Sequence, residues 1–239
     1  YANYRALSWR ENIRRRANQL RHKMNVQQII LGVDRLDYTK GILNRFLAFE
    51  RFLDTHPRYQ GKVSFIQVAS PTRSAISEYR EMKRQIEETV GRVNGKFQRP
   101  QWTPVIYISR HVPTDEIMML YRIADVAMVT PIIDGMNLVA KEYVTVNDNG
   151  VLILSEFAGA SEEMESAIIV NPYDVESMAK ALERTLSMTP EERARHIEPL
   201  RKLVKEHDIF WWLNTFLEEW GVKMESLEAS GGQRIVAGA

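Results

Sequence analysis

Short apolar runs alternate with polar, helix-forming segments along the whole chain. The first run is Gln28-Ile29-Ile30-Leu31-Gly32-Val33; others lie at 63–69, 104–108, 126–130, 150–154 and 167–170. They are strand-length and apolar without strict alternation, as parallel strands covered on both faces require. Trp9, Ile13, Ala17, Leu20 and Met24 recur at spacings of three and four and predict a basic helix over 9–24. Further helices are expected at 41–55, 74–91, 114–124 with Thr114 as cap, 137–146, 174–188, 190–206 and 208–220. Strands that alternate with helices imply an α/β fold with a doubly wound parallel sheet, Rossmann-like in kind. The expected organisation is a single domain over 1–225, with a leading basic helix inside 1–27, a C-terminal helix at 208–220, and a flexible tail at 226–239.

Ligands of such sheets sit beyond the carboxyl ends of the strands. That rule selects four loops, 34–41, 70–74, 109–114 and 131–137, which are also rich in Arg, His, Asp, Pro and Gly.

Composition narrows the field. The chain has 239 residues, 44% of them hydrophobic, enough for one large domain or two small ones, and its net charge of +1 does not suggest a broad nucleic-acid face. Without cysteine there are no disulfides and no thiolate metal sites. No apolar run approaches the roughly 20 residues that span a bilayer, and no signal-peptide pattern opens the chain. A cytoplasmic location without membrane partners is expected. The start at Tyr1 and the polar, Arg-rich opening lead us to expect a piece of a longer protein.

The loops carry the chemistry. Asp34-Arg35-Leu36-Asp37-Tyr38-Thr39-Lys40-Gly41 lacks the spacing of a P-loop or dinucleotide fingerprint, but offers a guanidinium and an ammonium just before a helix, a pair suited to a diphosphate. Equally, Arg35 could pair with Asp34 or Asp37 in a solvated turn. Arg73 in the second loop and His111 in the third are single residues, more often solvated or structural than functional. The fourth loop, with the helix after it, reads Asp134-Gly135-Met136-Asn137-Leu138-Val139-Ala140-Lys141-Glu142-Tyr143. Asn137 can cap the helix, and the amides of Leu138 and Val139 lie in its first turn, where open N–H groups hold phosphate oxygens. Glu142 could accept the two hydroxyls of a ribose, and Asp134 could reach a sugar hydroxyl. Otherwise Asp134 and Asn137 only cap the helix and Glu142 pairs with Lys141 or solvent. No metal-ligand spacing and no Gly-x-Ser-x-Gly elbow occurs. The aromatic run Phe210-Trp211-Trp212, with Phe216 and Trp220, is expected to pack within this domain or against an absent one, and Arg14-Arg15-Arg16 to form a solvated helix face.

Taken together, the first and fourth motifs resemble the trehalose-6-phosphate synthase family, from about residue 5 to 220. Asn94-Gly95-Lys96-Phe97, Ser155-Glu156-Phe157-Ala158-Gly159-Ala160 and Val170-Asn171-Pro172-Tyr173-Asp174 match it as well. The resemblance implies the C-terminal, nucleotide-sugar-binding half of a GT-B glycosyltransferase. That family transfers glucose from UDP-glucose to glucose 6-phosphate with retention and needs no metal; no cofactor is implied.

Carried over by motif position, Arg35 and Lys40 would bind the donor diphosphate, with Leu138 and Val139 supporting it through their backbone. Asn137 would belong to the same donor site, Glu142 would hold the ribose, Val112 would lie beside the uracil, and Asp134 would contact the transferred glucose. Arg73 would reach the acceptor phosphate. Asp134, Arg35 and Lys40 are the residues expected to carry catalysis. The family mechanism has no clear protein nucleophile, since the leaving phosphate helps to deprotonate the acceptor. Expected partners are the two substrates, the N-terminal domain of the same enzyme and further copies of the chain, but neither nucleic acid nor membrane. The N-terminal half, with its Gly-rich donor loop, has no counterpart here, so this chain alone should bind nucleotide weakly and catalyse little. Ile132-Ile133 also stands where many family members place an Arg directly before the Asp. Related transferases with other acceptors (glucosylglycerol-phosphate synthases, pseudo-glycosyltransferases) share much of this motif set, and a non-catalytic nucleotide-binding module is a further alternative.

Overall fold

The computed structural model describes residues 2–72 and 77–220. Two helices lead, α1 (Ala2–Ser8) and α2 (Glu11–Met24), followed by β1 (Gln28–Arg35), α3 (Ile42–Thr55), β2 (Val63–Ser70), α4 (Ser77–Phe97) and β3 (Val105–Ile108). Then come α5 (Thr114–Ile123), β4 (Val126–Val129), α6 (Leu138–Val146), β5 (Val151–Ser155), β6 (Ile168–Val170), α7 (Val175–Ser187), α8 (Pro190–Glu206) and α9 (Ile209–Glu219). The strands form one six-stranded sheet in the order β3-β2-β1-β4-β5-β6, and all its pairings are parallel. This is the doubly wound fold that the alternating pattern implied.

The unbroken apolar runs are explained by a core on each face of the sheet. Ile29, Leu31, Val129 and Leu154 pack with Ile13, Met118, Val144 and Ile197 on one side. Ile30, Phe65, Met128 and Ile153 pack with Phe46, Phe49, Ile86 and Leu182 on the other. Strands β2, β4 and β5 are therefore buried almost throughout.

Three local expectations need correction. The leading helix is two helices. Arg10 adopts an extended conformation between them, and Trp9 faces out at the joint, with the guanidiniums of Arg5, Arg14 and Arg122 each about 5 Å from its ring: 5.2, 5.2 and 4.9 Å. Thr114 does not cap α5; Pro113 holds the cap position without a side-chain bond. Helix α4 runs past Gly91 to Phe97, because Val93 and Phe97 lie on its buried face and outweigh the two glycines. The motif residue Asn94 there is structural: its amide group pairs with both the carbonyl and the N–H of Val105 at 2.9 Å, fixing α4 to β3. The expected tail at 226–239 lies outside the described residues.

Gly41 closes the loop after β1. Its φ is +64°, and a Cβ there would meet the Thr130 carbonyl oxygen at 2.4 Å. Gly41→Ala should therefore lower the unfolding free energy by about 2 kcal/mol or more, read from denaturant midpoints at constant m-value. A loss under about 0.5 kcal/mol would mean that the loop relaxes freely.

Candidate functional site

The strand order reverses direction between β1 and β4, so the loops after these two strands leave the sheet side by side. They are bonded together: the Thr39 carbonyl accepts the Ile132 amide at 2.7 Å. The second loop is gripped from its far side by the segment after β5. The Asp134 amide donates to the Phe157 carbonyl (3.2 Å), and the amides of Gly159 and Ala160 donate to the carbonyls of Asp134 and Met136 (both 2.9 Å). The motif at 155–160 thus serves the site by holding its backbone.

Beneath the first loop lies a fully buried guanidinium. Arg45 of α3 donates to Asp34 Oδ2 at 2.6 Å, Gln67 Oε1 at 2.8 Å, Thr130 Oγ1 at 3.1 Å and the Lys40 carbonyl at 3.1 Å. Gly32 makes room for it, since a Cβ there would come within 2.5 Å of Arg45 Nη1 and 2.2 Å of Gln67 Oε1. Asp34 is therefore committed to Arg45 rather than to Arg35. Asp37 caps the short turn at Tyr38–Lys40 by accepting the Thr39 amide at 3.0 Å. Burial raises its carboxyl pKa, but bonds from Thr39 and Tyr79 and the nearby Arg35 charge outweigh this and hold it below the ordinary value. Arg35 itself is exposed at the strand end and forms no ion pair among the described residues.

At the start of α6, Asn137 takes the left-handed conformation at φ 75° and caps the helix by accepting the Ala140 amide at 3.1 Å. Its side-chain amide also donates to Asp134 Oδ2 at 3.0 Å, and Lys40 Nζ reaches the same oxygen at 2.5 Å. The amides of Leu138 and Val139 have no acceptor among the described residues. Open amides, Lys40 and Arg35 thus border one rim of a cavity of about 740 Å³, with Asp134 between the cations and the helix start.

Glu142 lies one turn further along α6 and lines the same cavity. Tyr121 donates its hydroxyl to Oε2 at 2.8 Å, and Tyr4 donates to Oε1 at 3.0 Å. Burial, then the Glu142 charge, pushes the Tyr121 phenol far above its ordinary pKa; Tyr4 shifts the same way for the same reasons, so both remain donors. Lys141 pairs with Glu163 instead, at 3.4 Å. Val112 lines the cavity and His111 is exposed beside it.

Arg35, Lys40, Val112, Asp134, Asn137, Leu138, Val139 and Glu142, selected from three separate stretches of sequence, thus surround one cavity. Arg73 lies outside the described residues. Sequence reasoning missed Arg45, Tyr4, Tyr121 and Ile209. For Arg45 a signal existed: it falls on the apolar stripe of α3 with Ile42, Phe46 and Phe49, and a cation there must be paired. Of the aromatic residues in and just past α9, Trp211 stacks on His207 at 3.8 Å, while Phe210 is 70% exposed, Trp212 46% and Trp220 73%.

A family model described as glycosyltransferase family 20 matches residues 3–221. The chain is 44% identical over 201 residues to a bifunctional trehalose-6-phosphate synthase/phosphatase of Thermoproteus tenax, covering 83% of this chain and 28% of that protein. It is 43% identical over 203 residues to the trehalose-6-phosphate synthase of Sodalis glossinidius, covering 84% and 43%. Among solved structures, it resembles an Escherichia coli trehalose-6-phosphate synthase bound with UDP-2-fluoro glucose, with TM-score 0.81, 41% identity and coverage of 84% and 46%. It also resembles a UDP-forming trehalose-phosphate synthase of Burkholderia xenovorans in complex with glucose-6-phosphate, with TM-score 0.84, 40% identity and coverage of 90% and 48%. The chain spans less than half the length of each of these proteins.

The Arg45 network can be tested without any ligand. Arg45→Met strands the Asp34 carboxylate in a buried site and should cost about 3–5 kcal/mol at pH 7. Burial already pushes the Asp34 carboxyl up, with Arg45 the main opposing influence, so the variant's folded-state pKa moves further above its unfolded value. The penalty should shrink as pH falls through that raised value, and Asp34→Asn in the same chain should recover part of it. Urea unfolding at pH 7 and pH 5 checks both; a pH-independent loss unrelieved by Asp34→Asn would exclude the stranded charge as its cause.

Proposed function

The chain belongs to glycosyltransferase family 20, and on that premise we propose that it is the nucleotide-sugar-binding half of a retaining glucosyltransferase. The reaction is transfer of glucose from UDP-glucose to glucose 6-phosphate, giving trehalose 6-phosphate and UDP. The observation that carries the reading is the order of groups around one cavity: free cation and open amides at one rim, Asp134 beside them, and a carboxylate held by two phenols one helical turn away.

In this reading the diphosphate lies against Arg35, Lys40 and the amides of Leu138 and Val139. The ribose hydroxyls donate to Glu142 and the base lies along Val112. Asp134 accepts from the glucose, held in place by Lys40 and Asn137. The bond between the anomeric carbon and the phosphate oxygen breaks as the acceptor oxygen bonds to that carbon on the same face. The acceptor proton passes to the departing phosphate. Negative charge grows on the diphosphate as the bond breaks, so the cations and amides bind the transition state more tightly than the ground state. No protein nucleophile, metal or organic cofactor takes part in this reading. The acceptor contacts other than Arg73 would come from the part of the relatives' length that this sequence does not span.

Calorimetric titration with UDP should give binding that weakens about tenfold or more in Arg35→Ala and in Lys40→Ala, the size expected for charge-assisted bonds. Unchanged affinity in both variants would sink these assignments. In the full-length enzyme, Asp134→Ala should lower turnover far more than UDP affinity, because its partner is the transferred sugar; an equal loss in both would make Asp134 only a support for Lys40.

A further inference from the structure

We infer that Tyr121 and Tyr4 are positioning residues that orient the Glu142 carboxylate toward a ribose diol, so that the site selects a ribonucleotide over its deoxy analogues. The inference rests on the donor-site reading above and deepens it.

A carboxylate offers about four lone-pair positions, two on each oxygen. Tyr4 occupies one on Oε1 and Tyr121 one on Oε2, so each oxygen keeps capacity for one more donor. Two vicinal hydroxyls match that remaining pair.

The two phenols approach from different elements. Tyr121 belongs to α5 and is 1% exposed; its ring packs edge-on against Tyr143, with centroids 6.2 Å apart, so it cannot swing away. Tyr4 belongs to α1, which packs on both α5 and α6. Glu142 itself is only partly buried and carries no bond to a cation among the described residues. Without the phenols its rotatable side chain would have to be ordered by the ligand, at an entropic cost. With them the carboxylate is already set, and a nucleotide lacking the hydroxyls leaves a half-buried anion under-bonded. Sites built to hydrogen-bond a hydroxyl discriminate strongly against analogues that lack it.

The test compares UDP with 2′,3′-dideoxyuridine 5′-diphosphate by calorimetry on the full-length enzyme. The parent should prefer UDP by about tenfold or more, the scale of hydrogen bonds to a charged group. Tyr121→Phe should shrink that preference several-fold, by weakening UDP while leaving the dideoxy compound nearly unchanged. Tyr4→Phe, on a helix at the edge of the domain, should act in the same direction and gives the answer if Tyr121→Phe folds poorly. Equal weakening of both nucleotides would make the tyrosines packing residues and overturn the inference. So would a parent enzyme that binds both nucleotides equally, although the nucleotide site would survive. A parent enzyme that binds neither would overturn the donor-site reading itself.

Discussion

One guanidinium holds the functional end of the sheet together. Arg45 reaches from α3 into the space between three strands and bonds Asp34 at the end of β1, Gln67 in β2, Thr130 just past β4, and the carbonyl of Lys40. A buried ion pair adds little net stability, because desolvation cancels much of the attraction. Its effect here is geometric. Four acceptors from four segments can satisfy one planar fork only when the strand ends stand in a single arrangement, and that arrangement fixes where Lys40 leaves the sheet. The neighbouring sterics act in the same sense: Gly32 admits the fork, and Gly41 turns the chain tightly against the Thr130 carbonyl.

Much of this was legible in the sequence. The strands were visible because sheets covered on both faces need short, continuous apolar runs, and the rule for carboxyl-end loops then selected three stretches that border one cavity. Asn137 as a cap and the first turn of α6 followed from local chemistry alone. What escaped depends on contacts between distant positions. Nothing near Glu142 announces that residues 4 and 121 will bond it. The joint at Trp9 is set by three arginines, one of them in α5. The helix α4 was expected to end at Gly91, yet the burial of Val93 and Phe97 carries it past both Gly91 and Gly95. Two glycines cost about 1 kcal/mol each at most, less than two buried side chains return.

The arrangement of charge around the cavity also bears on the kind of chemistry it can support. Asp134 is the carboxylate that pairs with Lys40, and the oxygen concerned also accepts from Asn137. A carboxylate so held is a poor nucleophile and a good fixed acceptor. Glu142 is likewise engaged through both oxygens. Among the described residues, the groups not so committed are donors: the Arg35 guanidinium and two helix amides. A site whose carboxylates are tied down and whose donors are open is suited to receive negative charge rather than to attack. In glycosyl transfer, charge accumulates on the departing diphosphate, and donors preorganised for it act without reorganising when the bond breaks. That distribution of open and committed groups fits the transfer proposed above, in which no protein group attacks the anomeric carbon.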